Sequence, residues 1–301
     1  MTTQTMRVDW RTCALIAVCY VVWTLGLIAF GAGFWWAALP VLAVTAAFHT
    51  SLQHETIHGH PTPWPALNET LVSLPLAVAF PYRRYKALHL QHHRDEHLTD
   101  PYEDPESYFW CQSDVHNMPV WMQWVFAINN SLAGRLIIGP ALTLIGFTKT
   151  ELRRLRANEA GVRRAWGLHL LGLGLLVLIL SWAEMPIWAY LLGVVYPAIA
   201  ITSLRSFAEH QAAQDVGART AIVEAHPAFA LLYLNNNLHI AHHASPTTPW
   251  HRLPALYRER KQQYLAANGH TLFNGYWDIV KRFGLKVKQP VAHPIMHRDN
   301  Q

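Results

Sequence analysis

Apolar residues in this chain fall into long unbroken runs rather than an alternating pattern. Four of these runs approach the roughly 20 residues that cross a bilayer as a helix. Thr12 to Phe30 is the first, and a Gly-Ala-Gly turn at 31–33 separates it from Phe34 to about Leu52, a run that contains Pro40. Ala165 to Trp182 and Pro186 to Leu204 form a second pair with an equally short connection. Elsewhere the pattern changes. Residues 81–118 are polar and rich in His, Asp and Glu, and residues 205–301 are polar apart from Phe229 to Leu234. Leu71 to Phe80 is apolar but too short to cross, which predicts a re-entrant or interfacial piece. Trp121, Trp124 and Phe126 ahead of a break at Gly139-Pro140 predict an interfacial helix and then a short buried one within 119–147.

The fold class that follows is all-α and integral to a membrane, with about four transmembrane helices in two hairpins. The expected organisation is a single membrane-bound domain over 1–301, with spans at about 12–30, 34–52, 165–182 and 186–204. Residues 53–164 and 205–301 would form a helical cap. Basic residues cluster at Arg83, Arg84 and Lys86 and again at Arg153, Arg154, Arg156, Arg163 and Arg164, beside the apolar runs. The positive-inside rule explains them as cytoplasmic flanks, so both termini and the cap are expected in the cytoplasm, at a bacterial inner membrane. A nucleic-acid partner is not expected from clusters placed in this way. The first apolar run lacks a clean cleavage pattern and is expected to be retained.

Composition agrees with this reading. Hydrophobic residues make up 51% of the 301 and charged residues only 14%, against about 25% charged in soluble domains. Mean hydropathy is only slightly positive, so a substantial part must sit in water. The three cysteines, Cys13, Cys19 and Cys111, have no metal-type spacing and imply no disulfide framework.

Nineteen histidines change the picture more than any other residue type. His54 and His58 are spaced i, i+4, while His89, His92 and His93 form H-x-x-H-H, a pattern repeated by His239, His242 and His243. On a helix these offsets share one face, so each group points its imidazoles in one direction. At this frequency one H-x-x-H-H is expected by chance on the order of 0.1 times per chain. Neutral imidazole is a ligand for iron, copper, nickel and zinc. Eight such nitrogens exceed what one ion takes, which implies at least two metals. His49, His169 and His226 stand alone and read as structural. His60, His97, His116 and His251 lie near the groups but outside their spacing. The acidic run Asp95, Glu96, Asp100, Glu103 and Asp104 could hydrogen-bond the far nitrogens of ligand imidazoles, or simply form a solvated loop.

Two other classes compete. His54-Glu55-Thr56-Ile57-His58 is literally H-E-x-x-H, the signature of zinc proteases, in which Glu55 would be the general base. That reading leaves both H-x-x-H-H groups unexplained, and Glu55 fits better as an acceptor orienting a ligand. A metal transporter should carry ionisable residues within its spans, whereas 12–30 and 168–180 hold only His169.

At these residues the chain resembles the membrane fatty acid desaturase and hydroxylase superfamily, whose pattern is three histidine boxes separated by hydrophobic hairpins. The resemblance covers about residues 50–250. It implies two iron ions held by His54, His58, His89, His92, His93, His239, His242 and His243, with O2 as co-substrate and an acyl or other lipid-like chain as substrate. Members of the superfamily carry a further ligand histidine between the last span and the third box, and His210 in Ser206-Phe-Ala-Glu209-His210 occupies that place. In acyl-CoA desaturases an Asn four residues earlier reaches the metal through water. This chain has Ser206 there, with Asn235, Asn236 and Asn237 ahead of the third box as possible substitutes. The fused heme motif of cytochrome b5 does not occur, which implies a separate electron donor of the ferredoxin, rubredoxin or cytochrome b5 type. The resemblance implies desaturation, with hydroxylation as the nearest alternative.

Overall fold

A computed structural model of the chain describes residues 8–94 and 97–295. The protein is mostly helical. In chain order the helices are α1 (Trp10–Gly31), α2 (Trp35–Ile57), α3 (Pro65–Leu71), α4 (Tyr82–His92), α5 (Gln112–Asn117), α6 (Val120–Asn129), α7 (Leu132–Ile137), α8 (Gly139–Arg156), α9 (Val162–Trp182), α10 (Ile187–Tyr190), α11 (Tyr196–Glu209), α12 (Pro227–Leu232), α13 (His239–Ala244), α14 (Leu253–Ala267) and α15 (Tyr276–Phe283). A π-helical turn at Leu191–Val195 joins α10 to α11. Among the described residues, four helices are long and apolar enough to cross a membrane: α1, α2, α9 and the continuous stretch Ile187–Glu209. They make the chain an all-α integral membrane protein.

Two of these helices outlast the apolar runs that announce them. The second continues to Ile57, so that His54 is helical and His58 caps its end. The last continues to Glu209, which puts His210 immediately past its terminus. Helix hydrogen bonding propagates one residue at a time once nucleated, so a helix need not stop where its hydrophobicity does.

The chain divides into two compact units, residues 1–86 with 141–202 and residues 87–140 with 203–301. The first therefore includes 53–86 and 141–164, which the sequence assigns to the cap. Its core is formed by Trp23, Leu27, Leu42, Leu76, Leu176, Leu180, Tyr190 and Val194, among others. Gly26 lies so close to Leu42 that a Cβ would come within 2.8 Å of its side chain, the close approach that small residues permit between membrane helices.

Of Leu71 to Phe80, expected to be re-entrant or interfacial, Leu71 ends α3 and 72–80 run as irregular chain, with Leu76 fully buried. Irregular backbone in an apolar setting needs donors for its carbonyls, and four helices supply them. Tyr20 Oη donates to Leu71 O (3.0 Å), Gln53 Nε2 to Val72 O (3.0 Å), Tyr190 Oη to Leu76 O (2.8 Å) and His169 Nε2 to Val78 O (2.8 Å). His169 is thereby structural, as its isolation suggests. Of the basic flank, Arg84 is not a surface charge. Its guanidinium is buried against Glu151, with Nε–Oε2 at 2.8 Å, and Trp166 Nε1 donates to the same carboxylate at 3.0 Å.

The second unit packs shorter helices around Ile222, Leu238, Ala241, Tyr257 and Tyr264. Two strands of two residues each, β1 (Ile222–Val223) and β2 (Leu272–Phe273), pair in parallel there with Ile222 opposite Leu272. Trp121 and Trp124 on α6 are exposed, while Leu132, Gly134 and Arg135 on α7 are buried. This is the order of an outer and then an inner helix expected for this stretch.

Candidate metal centre

Three pieces of the second unit carry the imidazoles. The last turn of α4 presents His89 and His92, and His93 continues it, its N–H donating to His89 O at 3.1 Å. Helix α13 presents His239, His242 and His243. His210 follows the end of α11 and forms an isolated antiparallel bridge with Thr220. The offsets of three and four residues place each box on one helical face.

These seven imidazoles form two groups. His89, His93 and His242 offer nitrogens within 4.8 Å of one another. His93 Nε2 lies 3.0 Å from His89 Nε2 and 3.0 Å from His242 Nε2. Two nitrogens bound to one ion at about 2.1 Å each stand about 3 Å apart, so this spacing suits shared ligation. The second group is His92, His239 and His243, again within 4.8 Å, and His210 makes a similar set with His239 and Glu209. Ring centroids of His210 lie 4.9 Å from His92 and 4.5 Å from His239.

Buried polar atoms are nearly always hydrogen-bonded. His92 Nε2, His210 Nδ1 and His239 Nε2 are buried and have no hydrogen-bond partner among the described residues. The far sides of His92 and His239, in contrast, face acceptors. His92 Nδ1 is 2.9 Å from Asp104 Oδ1, and His89 Nδ1 is 2.9 Å from Glu106 Oε1. His239 Nδ1 sits 3.4 Å from both Asn236 Oδ1 and Glu209 Oε2. A carboxylate that accepts from Nδ1–H leaves the Nε2 lone pair for a cation. The residues therefore fit a metal: convergent, buried and oriented from behind.

The electrostatics agree. Burial, then the neighbouring His92 and His243, push the His210 imidazole well below its ordinary range. Burial, then His210 and His243, do the same to His239. Both are neutral and ready to ligate. Burial also works against a charge on His92, but the Glu106 carboxylate and the hydrogen bond to Asp104 outweigh it and push that imidazole up to about 9. Asp104 and Glu106 place two carboxyl groups behind the site, which suits a bound cation.

Of the acidic run, Asp104 takes the anticipated role. Asp100 instead accepts the N–H groups of Tyr102 and Glu103 within its own loop, and Glu103 is exposed. Asp95 and Glu96 lie outside the described residues. Glu106 is the partner that the sequence does not single out. Its signal is the Asp-Pro-Glu spacing, since Asp104 Oδ1 also accepts the Glu106 N–H at 2.8 Å and turns the loop back toward α4. Glu209 pairs with Arg205 (3.3 Å) and His239. Among the three asparagines only Asn236 reaches a site histidine by a described hydrogen bond, because Asn235 donates to Trp250 O and Asn237 to Val223 O.

His54 and His58 belong to the first unit, with ring centroids 4.9 Å apart. In the same unit Glu55 and His60 are buried and group with Asp9. The isolated histidines are structural: His49 meets Tyr20 Oη at 3.2 Å, and His226 Nδ1 accepts the Ala228 N–H at the start of α12.

Helices of membrane length together with a buried imidazole cluster define the class, a helical membrane protein organised around histidine nitrogens. Comparison with known families matches residues 32–274 to the fatty acid desaturases, and the chain belongs to that family. The matched residues include all three boxes and His210. Membership places the chain among oxidoreductases that act on lipid chains. No curated protein matches the chain.

Proposed function

We propose that the protein holds two iron ions on His54, His58, His89, His92, His93, His210, His239, His242 and His243 and uses O2 to desaturate an acyl or similar lipid chain. The observation that carries the reading is the convergence of seven imidazoles in two groups, six of them buried and His93 half-buried, three with an unpartnered nitrogen. His54 and His58 join the set on the strength of their box spacing and the family pattern. When bound, a pair of irons would pass the donor's electrons to O2 and supply the oxidant that breaks an unactivated C–H bond.

The protein's own residues do the positioning. Asp104 and Glu106 fix the rings of His92 and His89 and keep Nε2 as the coordinating atom. Asn236 holds His239 from behind by a longer hydrogen bond of 3.4 Å, and the Glu209 carboxyl group stands at the same distance. Nitrogen-rich ligation leaves selection of the metal to geometry and supply rather than to affinity. Electrons come from a separate small donor protein. The metal site faces the cytoplasm, so reporters after Arg156 and at the C-terminus are expected inside and reporters near Ala32 or Glu184 outside.

Two measurements test the proposal. Metal analysis of protein purified in mild detergent is expected to give close to two irons per chain, and one zinc without iron would overturn the reading. Mass spectrometry of lipids from cells with and without the protein is expected to show a new double bond, whereas a new hydroxyl would assign hydroxylation instead. Glu55→Gln separates this from a zinc protease. Peptidase activity abolished by that change would sink the oxidase reading.

A further inference from the structure

After α15 the chain runs through residues 284–295, beyond the residues matched to the family. It is tied down along its length. Lys288 N–H donates to Asn130 O (2.8 Å), Trp110 N–H to Val291 O (3.1 Å) and His293 N–H to Trp110 O (2.8 Å). The Gln289 side chain bonds both the N–H and the carbonyl of Ala212.

Two side chains of this segment lead to the metal centre. Lys288 Nζ donates to His210 O at 2.8 Å and also to Phe207 O. These are carbonyls at and just past the end of α11, where a helix leaves its last acceptors unsatisfied. Tyr108 Oη adds a second donor to His210 O at 3.4 Å. The backbone of His210 is thus set by groups brought in from outside its own helix.

His293 reaches the opposite side. Its Nδ1 accepts the Ile295 N–H at 3.1 Å, so the proton of the neutral ring is on Nε2, which donates to Thr99 Oγ1 at 3.0 Å. Thr99 stands at φ 60°, a left-handed conformation that a β-branched residue rarely adopts. Such strain persists only where the surroundings over-determine it. Here Ser107 Oγ donates to Thr99 O, and the Thr99 N–H donates to Asp104 Oδ2 at 2.8 Å. The other oxygen of Asp104 holds His92.

We propose that the segment 284–295 is a strap that positions one of the two metal ions, Lys288 acting through the backbone of His210 and His293 through Thr99 and Asp104 on His92. Both routes end in the group His92, His210, His239 and His243. The inference rests on the two-metal reading above. Lys288 and His293 are positioning residues, since neither touches the reacting atoms.

The test is metal release from the iron-loaded, detergent-purified protein to an excess of chelator, followed for both ions alongside the thermal midpoint. Outer partners of metal ligands typically cost 10–100-fold in affinity or activity. Lys288→Met and His293→Ala are each expected to release one of the two ions about tenfold faster while the other leaves at the wild-type rate. Lys288→Arg and His293→Gln, which keep the donors, are expected to restore the slow release. Wild-type release of both ions in Lys288→Met and His293→Ala overturns the strap. So does equal acceleration of both ions in step with a lowered midpoint, which is the mark of a merely structural role. Wild-type protein that holds no iron overturns the strap and the proposed function together, whereas failure of the strap alone leaves the two-iron stoichiometry intact.

Discussion

In the first unit the irregular stretch after α3 buries backbone carbonyls at Val72, Leu76 and Val78, and each meets a donor from a different helix, Gln53, Tyr190 and His169. In the second unit His92, His210 and His239 bury nitrogens that meet no hydrogen-bond partner among the described residues. Both regions remove polar atoms from water. One cancels the cost internally and is complete as it stands, while the other leaves the cost open at atoms that point toward one another. An unpartnered buried polar group costs about 1–3 kcal/mol, and several side by side are the arrangement that a shared cation would relieve. His49 marks the limit of the argument. Its Nδ1 also lacks a partner, but no metal-sized group includes it among the described residues. Convergence, not orphaning alone, distinguishes a ligand.

The comparison breaks most visibly at the ligands themselves. His210→Ala is expected to lower iron content and abolish turnover while the protein still inserts, read by metal analysis and product formation. Full iron and full activity in that variant would remove His210 from the set. Next is Arg84→Met, which strands Glu151 in the first unit. Breaking a buried ion pair costs about 3–5 kcal/mol, so a denaturant titration in detergent should show a large loss of stability, while the iron content of the surviving folded protein stays at the wild-type value.

Asp104→Asn and Glu106→Gln take away the charged acceptors behind His92 and His89 without removing a ligand. Each is expected to weaken metal retention or turnover 10–100-fold, measured by chelator competition, with little change in the unfolding midpoint. Tyr190→Phe sharpens the contrast from the other side. It leaves Leu76 O without its donor and Trp23 Nε1 without its acceptor, at about 1–3 kcal/mol per unsatisfied group, and iron content should not move. The smallest effect is expected at His226→Ala, which removes an acceptor at the start of a six-residue helix. The loss is about 0.5 kcal/mol, the low end for a helix cap, with iron retained.

Glu106 and Asp104 show how far the sequence reaches into the site. Both follow the second box within a short polar stretch, and that stretch is recognisable as a source of acceptors. Which acid meets which imidazole is not, because His89 and Glu106 are 17 residues apart and joined by a loop without a repeating geometry. The basic flank near Arg83 teaches the same lesson in reverse. Charge pattern alone reads Arg84 as a cytoplasmic surface residue, and only the approach of Glu151, 67 residues away, turns it into a buried pair.

By itself the sequence determined the four long apolar helices and the three histidine boxes. Run length and the i, i+3 and i+4 offsets are properties of neighbouring residues, and helix geometry converts them directly into a span or a ligating face. Only the tertiary structure decided that the seven imidazoles of the second unit divide into two groups, that Glu106, Glu209 and Asn236 stand behind them, and that a segment near residue 290 bonds the carbonyl of His210 and the side chain of Thr99. Those choices depend on where distant parts of the chain close upon one another. That closure is set by packing and by the demand of buried polar atoms for partners, neither of which is written in local spacing.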